Sequence, residues 1–211
     1  MLASRCGYSV DYSGPVNDRA VLHVDNCYHL PNLKVVSHRC KTNTQSSTAF
    51  RGFGGPQGMF GIESVIEAIA KELGRDALDV RRVNLYADPA ASGDPSSLTT
   101  HYGQVIEDFV ADRILDELEA ESAYRTRRAA ADAFNVRSRT RKRGLAITPL
   151  KFGISFTATM LNQGGALVNV FNDGSISVNH GGTEMGQGLN TKVAQVAADG
   201  LGVPVSLVRI T

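Results

Sequence analysis

The sequence predicts an α+β fold, and three observations carry that prediction. Runs with apolar residues at helical spacing alternate with short β-type runs along the chain. The glycines cluster at Gly52–Gly61, Gly164–Gly165 and Gly181–Gly188, and the first and last of these clusters open directly into helical stripes. No internal repeat or low-complexity segment competes with a globular reading.

The elements follow in order. Val16–Tyr28 carries Ala20, Val21, Val24 and Cys27 at helical spacing, and His29-Leu30-Pro31-Asn32 breaks that helix. Leu33–Thr42 reads as a strand. Phe50–Gly58 is a loop by composition and opens into a helix marked by Ile62, Val65, Ile66, Ile69 and Leu73, with Gly74 as its C-terminal cap. Asp76 caps a second helix through Val83. Residues 87–103, with Pro89, Gly93, Asp94 and Pro95, predict an exposed loop. Val105, Phe109, Leu115 and Leu118 mark a charged, solvent-facing helix, and a basic helix follows near Tyr124–Phe134. From Gly144 the chain turns β-rich, with expected strands at Leu145–Ile147, Ile154–Thr157 and Ala166–Phe171. Asn172-Asp173-Gly174 predicts a tight hairpin turn into Ser175–Asn179. Gly181–Gly188 leads into a helix carrying Val193, Val196 and Ala197, and Val205–Ile210 reads as a final strand. The change of character after Arg143 divides the chain into a helix-rich part, 1–143, and a β-rich part, 144–211. The chain starts abruptly and stops inside an apparent strand, which predicts a piece of a longer protein or a subunit whose remainder lies elsewhere.

Composition bounds the function. The 211 residues hold 22 Lys plus Arg against 21 Asp plus Glu, a net charge of +1 that argues against a generic nucleic-acid or membrane-surface binder. At 42% apolar and 20% charged the chain is too apolar for disorder. No apolar run approaches the roughly 18 residues that span a bilayer, and the N-terminus lacks the apolar core of a signal peptide. Cys6, Cys27 and Cys40 match neither a disulfide framework nor a zinc or iron–sulfur pattern, so three reduced thiols in a cytoplasmic protein are expected. That spacing excludes a self-contained iron–sulfur carrier.

The glycine-rich loops favour an anionic or acceptor-rich ligand through their N–H groups and the helix starts they open. Neither is a dinucleotide fingerprint, because Gln57 stands where the third glycine belongs, and no Gly-Lys-Ser/Thr marks a phosphate loop. On composition alone they serve equally as tight connections that need glycine for backbone shape.

Three motifs go further. Thr48-Ala49-Phe50-Arg51-Gly52-Phe53-Gly54-Gly55-Pro56-Gln57, Lys151-Phe152-Gly153-Ile154-Ser155-Phe156 followed by Leu161-Asn162-Gln163, and Gly181-Gly182-Thr183-Glu184-Met185-Gly186-Gln187-Gly188-Leu189 occur in this order. Together they resemble the signatures of the xanthine dehydrogenase/xanthine oxidase family, and the resemblance runs from the Gly14-Pro15 region to Val208. It implies part of the molybdopterin-binding domain in the molybdenum-cofactor-binding subunit, an oxidoreductase that hydroxylates purines. Oxygen moves from a water-derived molybdenum ligand onto an electron-poor carbon, and two electrons pass onward. The molybdenum is held through the pterin dithiolene, with no direct side-chain ligand.

The resemblance also assigns residues. Met185, Gly186 and Gln187 would bind the pterin, whose alternating donors and acceptors suit the Gln187 amide. Arg51, Gly52 and Phe53 would lie against the metal centre. Phe53 would stack flat on the purine, Phe156 would meet it edge-on, and Thr157 would stand beside Phe156 as a hydrogen-bond partner. Without the family, both phenylalanines read as core packing. Arg19 would face the substrate oxo group and stabilise the negative charge that grows during attack. Read alone, it is a surface arginine paired with a nearby carboxylate. Aldehyde oxidases typically lack this arginine, so Arg19 favours purine over aldehyde.

The glutamate base that the resemblance implies is not in this chain, so the 211 residues are expected to be inactive alone. FAD and 2Fe-2S clusters are expected in partner domains or subunits, with a homo- or hetero-oligomer in the full enzyme. The alternatives are an aldehyde-oxidase-type hydroxylase of the same superfamily, a truncated remnant that only binds cofactor or a partner subunit, and an unrelated α+β scaffold.

Overall fold

The computed structural model describes residues 2–8, 11–154, 156 and 158–211. The chain divides into two compact units, Met1–Ile154 and Ser155–Thr211.

In the first unit, β1 (Leu2–Gly7) pairs in parallel with β2 (Ser37–Lys41), and the crossover between them carries α1 (Ser13–Leu22). α2 (Gly55–Leu73) packs across α1 and ends at Gly74, whose left-handed backbone (φ 61°) closes the last turn as expected. Asp76 caps α3 (Ala77–Val83) by accepting the Leu78 N–H at 2.8 Å. α3 lies between two cores. Ala77 and Val80 join Tyr28, Ile66 and Ala70 on one side, while Leu78 joins Leu115, Tyr124 and Ile147 on the other. Arg81, buried on α3, donates to Glu63 at 2.8 Å and Glu67 at 2.7 Å on α2, tying the two helices by charge as well as by apolar contact. The short α4 (Pro89–Ser92) is followed by α5 (Ala111–Glu121) and α6 (Tyr124–Arg137).

In the second unit, β3 (Ala166–Val170) runs antiparallel to β4 (Ile176–His180), which runs parallel to β5 (Val208–Ile210). The expected Asn172-Asp173-Gly174 turn joins β3 to β4. α7 (Leu189–Leu201) crosses from β4 to β5 and buries Ala194 and Ala198 against Ile176, Val178 and Val208. Ile176 and Val178 are buried and Asn179 exposed, the alternation of a strand with one covered face.

Several expected boundaries shift. The Leu33–Thr42 strand contracts to Ser37–Lys41, and α1 starts and ends earlier than Val16–Tyr28. Gly55-Pro56-Gln57-Gly58 is not loop but the first turn of α2, because proline fits where the N–H has no helical acceptor. Residues 87–103 are not exposed throughout: Ser97 and Thr100 are buried, and Ser97 Oγ donates to the Ala87 carbonyl at 2.7 Å. Val105 and Phe109 precede α5, and Val105 bridges to Thr99. Leu145–Ile147 is no strand. Ile147 packs among Leu78, Leu115 and Tyr124, while the Leu145 carbonyl accepts Arg128 Nη1 at 2.6 Å. The expected Ile154–Thr157 strand is absent at its described positions, where Ile154 is exposed, and Ser155 and Thr157 lie outside the described residues. Val205–Leu207 forms a single 3-10 turn, leaving Val208–Ile210 as the strand. The three cysteines are free, and burial pushes the Cys27 thiol up to about 12.

Candidate functional site

Arg19 lies in the last turn of α1 and is 5% exposed. The surface arginine of an isolated reading is therefore corrected: the guanidinium is buried, and no carboxylate pairs it among the described residues. Its Nη1 donates to the Gly153 carbonyl, its Nε has no hydrogen-bond partner among the described residues, and its Cζ stands 5.4 Å from the centre of the Phe152 ring. Burial lowers its pKa, although an arginine stays charged at neutral pH. An enclosed cation that, among the described residues, has a spare donor and no counter-ion is the arrangement expected where negative charge arrives or develops.

One turn beyond Arg19, at the C-terminal cap of α1, His23 is buried at 4% exposure. Its Nδ1 lies 2.9 Å from the Arg19 carbonyl, and its Nε2 receives the Gly153 N–H at 3.0 Å. A carbonyl only accepts and an N–H only donates, so the ring is the neutral Nδ1–H tautomer. Gly153 is thereby held on both edges of its backbone, by His23 through its N–H and by Arg19 through its carbonyl. The His23 and Phe152 rings lie 5.0 Å apart.

The first glycine loop meets the same helix. A Cβ on Gly54 (φ 102°) would stand 1.8 Å from the Val16 carbonyl oxygen, and one on Gly58 would stand 2.2 Å from that of Ala20. These glycines let the start of α2 lie directly on α1, so shape, not ligand contact, accounts for both. Gly55 would meet Phe152 at 2.6 Å. Before them, Arg51 is exposed and Gly52 half-buried. Phe53 takes a positive φ of 50°, a strained backbone for an aromatic residue, with its ring 6.1 Å from that of Tyr12. Arg51, Gly52 and Phe53 thus precede an α2 whose first turn rests on the helix that carries Arg19.

In the second unit, Phe156 is half-buried, and its backbone is bracketed by the side-chain amide of Asn162. Thr157 lies outside the described residues. The second glycine loop is braced from within. Glu184 Oε1 accepts the N–H groups of Gly186 at 2.8 Å and Gly188 at 3.1 Å, and Oε2 accepts that of Asn190 at 3.2 Å. These bonds, that from Asn190 first, pull the carboxyl below its ordinary pKa. At this helix start, Glu184 already accepts several of the N–H groups expected to favour an anionic or acceptor-rich ligand.

Gln187 accepts the Met185 N–H at 2.5 Å and donates to the Thr183 carbonyl at 2.9 Å. One amide proton and one lone pair keep no partner among the described residues, so the side chain is held along one edge and open along the other. With Met185 half-exposed and Gly186 at φ 93°, this is a stiffened surface able to meet an alternating donor–acceptor edge. The donor set fits a pterin. Among the described residues, no group of three His, Cys, Asp or Glu side chains could hold a metal ion, and no helix is long and apolar enough to cross a membrane.

The sequence gives Phe152, Gly153 and Asn162 as members of a motif without their contacts, and it assigns no role to His23 and no capping role to Glu184. The Arg19–His23 spacing of four, one helical turn, was the available signal for His23.

Comparisons with known proteins identify the family. Two molybdopterin cofactor-binding domain models match residues 1–85 and 117–211. The chain is 50% identical to a xanthine dehydrogenase of Drosophila subobscura and 48% identical to a xanthine dehydrogenase/oxidase of Gallus gallus, each over 99% of its length. It is also 48% identical over 97% of its length to a nicotinate hydroxylase of Emericella nidulans. It spans 15% of each of these relatives. Among solved structures, quinoline 2-oxidoreductase from Pseudomonas putida 86 aligns over 99% of this chain and 27% of its own, with a TM-score of 0.66 and 23% identity. The aldehyde oxidoreductase of Desulfovibrio gigas aligns over 99% of this chain and 22% of its own, with a TM-score of 0.66 and 22% identity. These two likenesses carry the fold alone. Matched by molybdopterin-binding models over most of its residues and about half identical to xanthine dehydrogenases from end to end, the chain belongs to the xanthine dehydrogenase/xanthine oxidase family as a molybdopterin cofactor-binding region.

Proposed function

We propose that this chain forms part of the active site of a molybdenum hydroxylase acting on purines. The observation that carries the substrate reading is the buried Arg19 guanidinium, which among the described residues has an unpartnered Nε and no carboxylate to neutralise it. An oxopurine gathers negative charge on its oxo group as its ring is attacked, and a fixed cation there lowers the barrier. In this reading, which the family resemblance supports, Phe53 stacks flat on the heterocycle and Phe156 meets it edge-on, with Thr157, outside the described residues, as the hydrogen-bond partner next to Phe156. Met185, Gly186 and Gln187 hold the pterin, and Arg51, Gly52 and Phe53 line the approach to the metal. When bound, the molybdenum cofactor supplies oxygen transfer and takes up two electrons. The chain's own residues bind, orient and polarise the substrate.

The base glutamate, the flavin and the 2Fe-2S clusters belong to the rest of the enzyme, whose relatives are several times longer than this chain. The 1–143 and 144–211 division, an oligomeric full enzyme and a cytoplasmic location are part of the same proposal, the last carried by the free cysteines. Molybdenum and pterin analysis of the full-length protein tests the cofactor, and a xanthine-versus-aldehyde assay tests the substrate. A loaded protein that turns over aldehydes and no purine removes the purine reading. The 48% identity to a nicotinate hydroxylase favours a second reading, a heteroaromatic carboxylate. Arg19 would then meet a carboxylate in place of an oxo group, and nicotinate in the same assay separates the two.

A further inference from the structure

We infer that His23 is a positioning residue for Arg19, acting through the backbone of Gly153. The inference rests on the reading of Arg19 as the group that faces the substrate. An arginine side chain loses much rotamer freedom when it is held in one geometry, so something must fix it. Here the fixed point is the Gly153 carbonyl, which receives Nη1. Gly153 itself lies in no helix or strand. What holds it is its N–H bond to His23 Nε2 at 3.0 Å, while His23 Nδ1 is anchored at 2.9 Å to the carbonyl of Arg19. The chain closes on itself: Arg19 carbonyl, His23 ring, Gly153 peptide, Arg19 guanidinium. Phe152 fills the space beside it, with its ring near both His23 and the guanidinium. Glycine at position 55 leaves room for that ring.

This loop of bonds requires a neutral imidazole. Protonated at Nε2, His23 could no longer accept the Gly153 N–H and would repel it. The charged groups facing the ring are Arg19 on its own helix, Asp25 just beyond it and Lys151 on the segment that carries Gly153, while α2 presents Gly55. Burial, the largest effect, holds the imidazole below its ordinary range.

The test uses the full-length enzyme loaded with cofactor and reads the ratio of purine to aldehyde turnover per molybdenum. His23→Asn keeps a donor near the Arg19 carbonyl but does not reach Gly153, and the ratio is expected to fall about 10²-fold. His23→Gln places an amide oxygen near the Nε2 position and is expected to restore most of it. The wild-type ratio is expected to fall as His23 protonates on the acid side, and to be flat with pH in His23→Gln. A wild-type ratio in His23→Asn overturns the inference. So does a His23→Gln that falls as far as His23→Asn. Should His23→Asn yield no loaded protein, a pH-independent wild-type ratio overturns it alone. Arg19→Ala separates the two ideas. If it lowers the ratio while His23→Asn does not, the positioning role fails and the substrate reading stands. If Arg19→Ala leaves the ratio unchanged with cofactor content intact, the substrate reading itself has failed.

Discussion

The side-chain amide of Asn162 closes on the backbone of Phe156 from both sides: the Phe156 N–H donates to Oδ1 at 2.6 Å, and Nδ2 donates to the Phe156 carbonyl at 2.8 Å. An asparagine can do this because one edge of its amide accepts and the other donates, matching a peptide. The six-residue separation of Phe156 and Asn162 in the second motif thus has a local cause. On the proposed role of Phe156, Asn162→Ala frees an aromatic wall of the substrate slot. Each such bond contributes about 1 kcal/mol net, so losing both should raise KM for the purine by up to roughly 30-fold with molybdenum content unchanged. Asn162→Asp keeps the acceptor, loses the donor, and should fall between. Steady-state kinetics of the full-length enzyme measures both, and an unchanged KM in Asn162→Ala would show that Phe156 is held by other contacts.

Glu184 makes a second prediction. Its carboxylate gathers three N–H groups at the start of α7, and its removal would leave them to water in an exposed loop. Glu184→Ala should lower the pterin and molybdenum content of purified enzyme, while turnover per molybdenum stays near wild type. Metal analysis beside activity reads the two apart. A variant with full cofactor and depressed turnover would instead make Glu184 part of the chemistry.

These two residues show where sequence reading reaches and where it stops. Gly74 and Asp76 were legible as caps because capping is decided within a few residues. The glycines of the first loop were visible as glycines, but the reason for Gly54 and Gly58 lies in carbonyls of α1, far back along the chain, and no local pattern contains it. Leu145–Ile147 has the composition of a strand, yet a short apolar run says only that it will be buried, and here it buries against helices. Arg19 stood on a predicted helix, but the carbonyl that receives its guanidinium belongs to Gly153, 134 positions away. The resemblance found the motifs; the contacts that hold them are tertiary.

Asp25 predicts a pH dependence of stability. Its carboxylate is 1% exposed; Oδ2 accepts Lys151 Nζ at 2.7 Å and the Tyr86 hydroxyl, with His101 Nδ1 at 3.5 Å. Burial alone would raise its pKa, but the contacts with His101, Lys151 and Tyr86 outweigh it and the net direction is down. A carboxyl lowered in the folded state stabilises fully above its unfolded value, near 3.8, and that contribution fades as pH drops through the folded value. Asp25→Asn leaves Lys151 without its counter-charge and should cost about 3 kcal/mol at pH 7. The gap between wild type and Asp25→Asn should narrow on acidification below that value. Thermal midpoints at neutral and acid pH measure it, and a gap constant with pH would mean that the carboxylate charge is not what stabilises this cluster.

Two glycines one turn apart on α2 predict opposite outcomes for the same substitution. A Cβ at Gly58 would stand 2.2 Å from the Ala20 carbonyl oxygen, whereas one at Gly61 meets nothing within 4 Å. Gly58→Ala must push α2 away from α1, a strain of about 1–3 kcal/mol. Gly61→Ala removes only the entropy cost of glycine in a helix and should stabilise by about 0.5–1 kcal/mol. The thermal midpoint of the full-length protein should therefore fall with the first and rise with the second. Helix propensity acts on both positions alike, so opposite signs isolate the contact with α1. Because Ala20 directly follows Arg19, Gly58→Ala should also depress purine turnover per molybdenum, while Gly61→Ala leaves it unchanged; a matching loss in both variants would detach the glycine loop from the placement of Arg19.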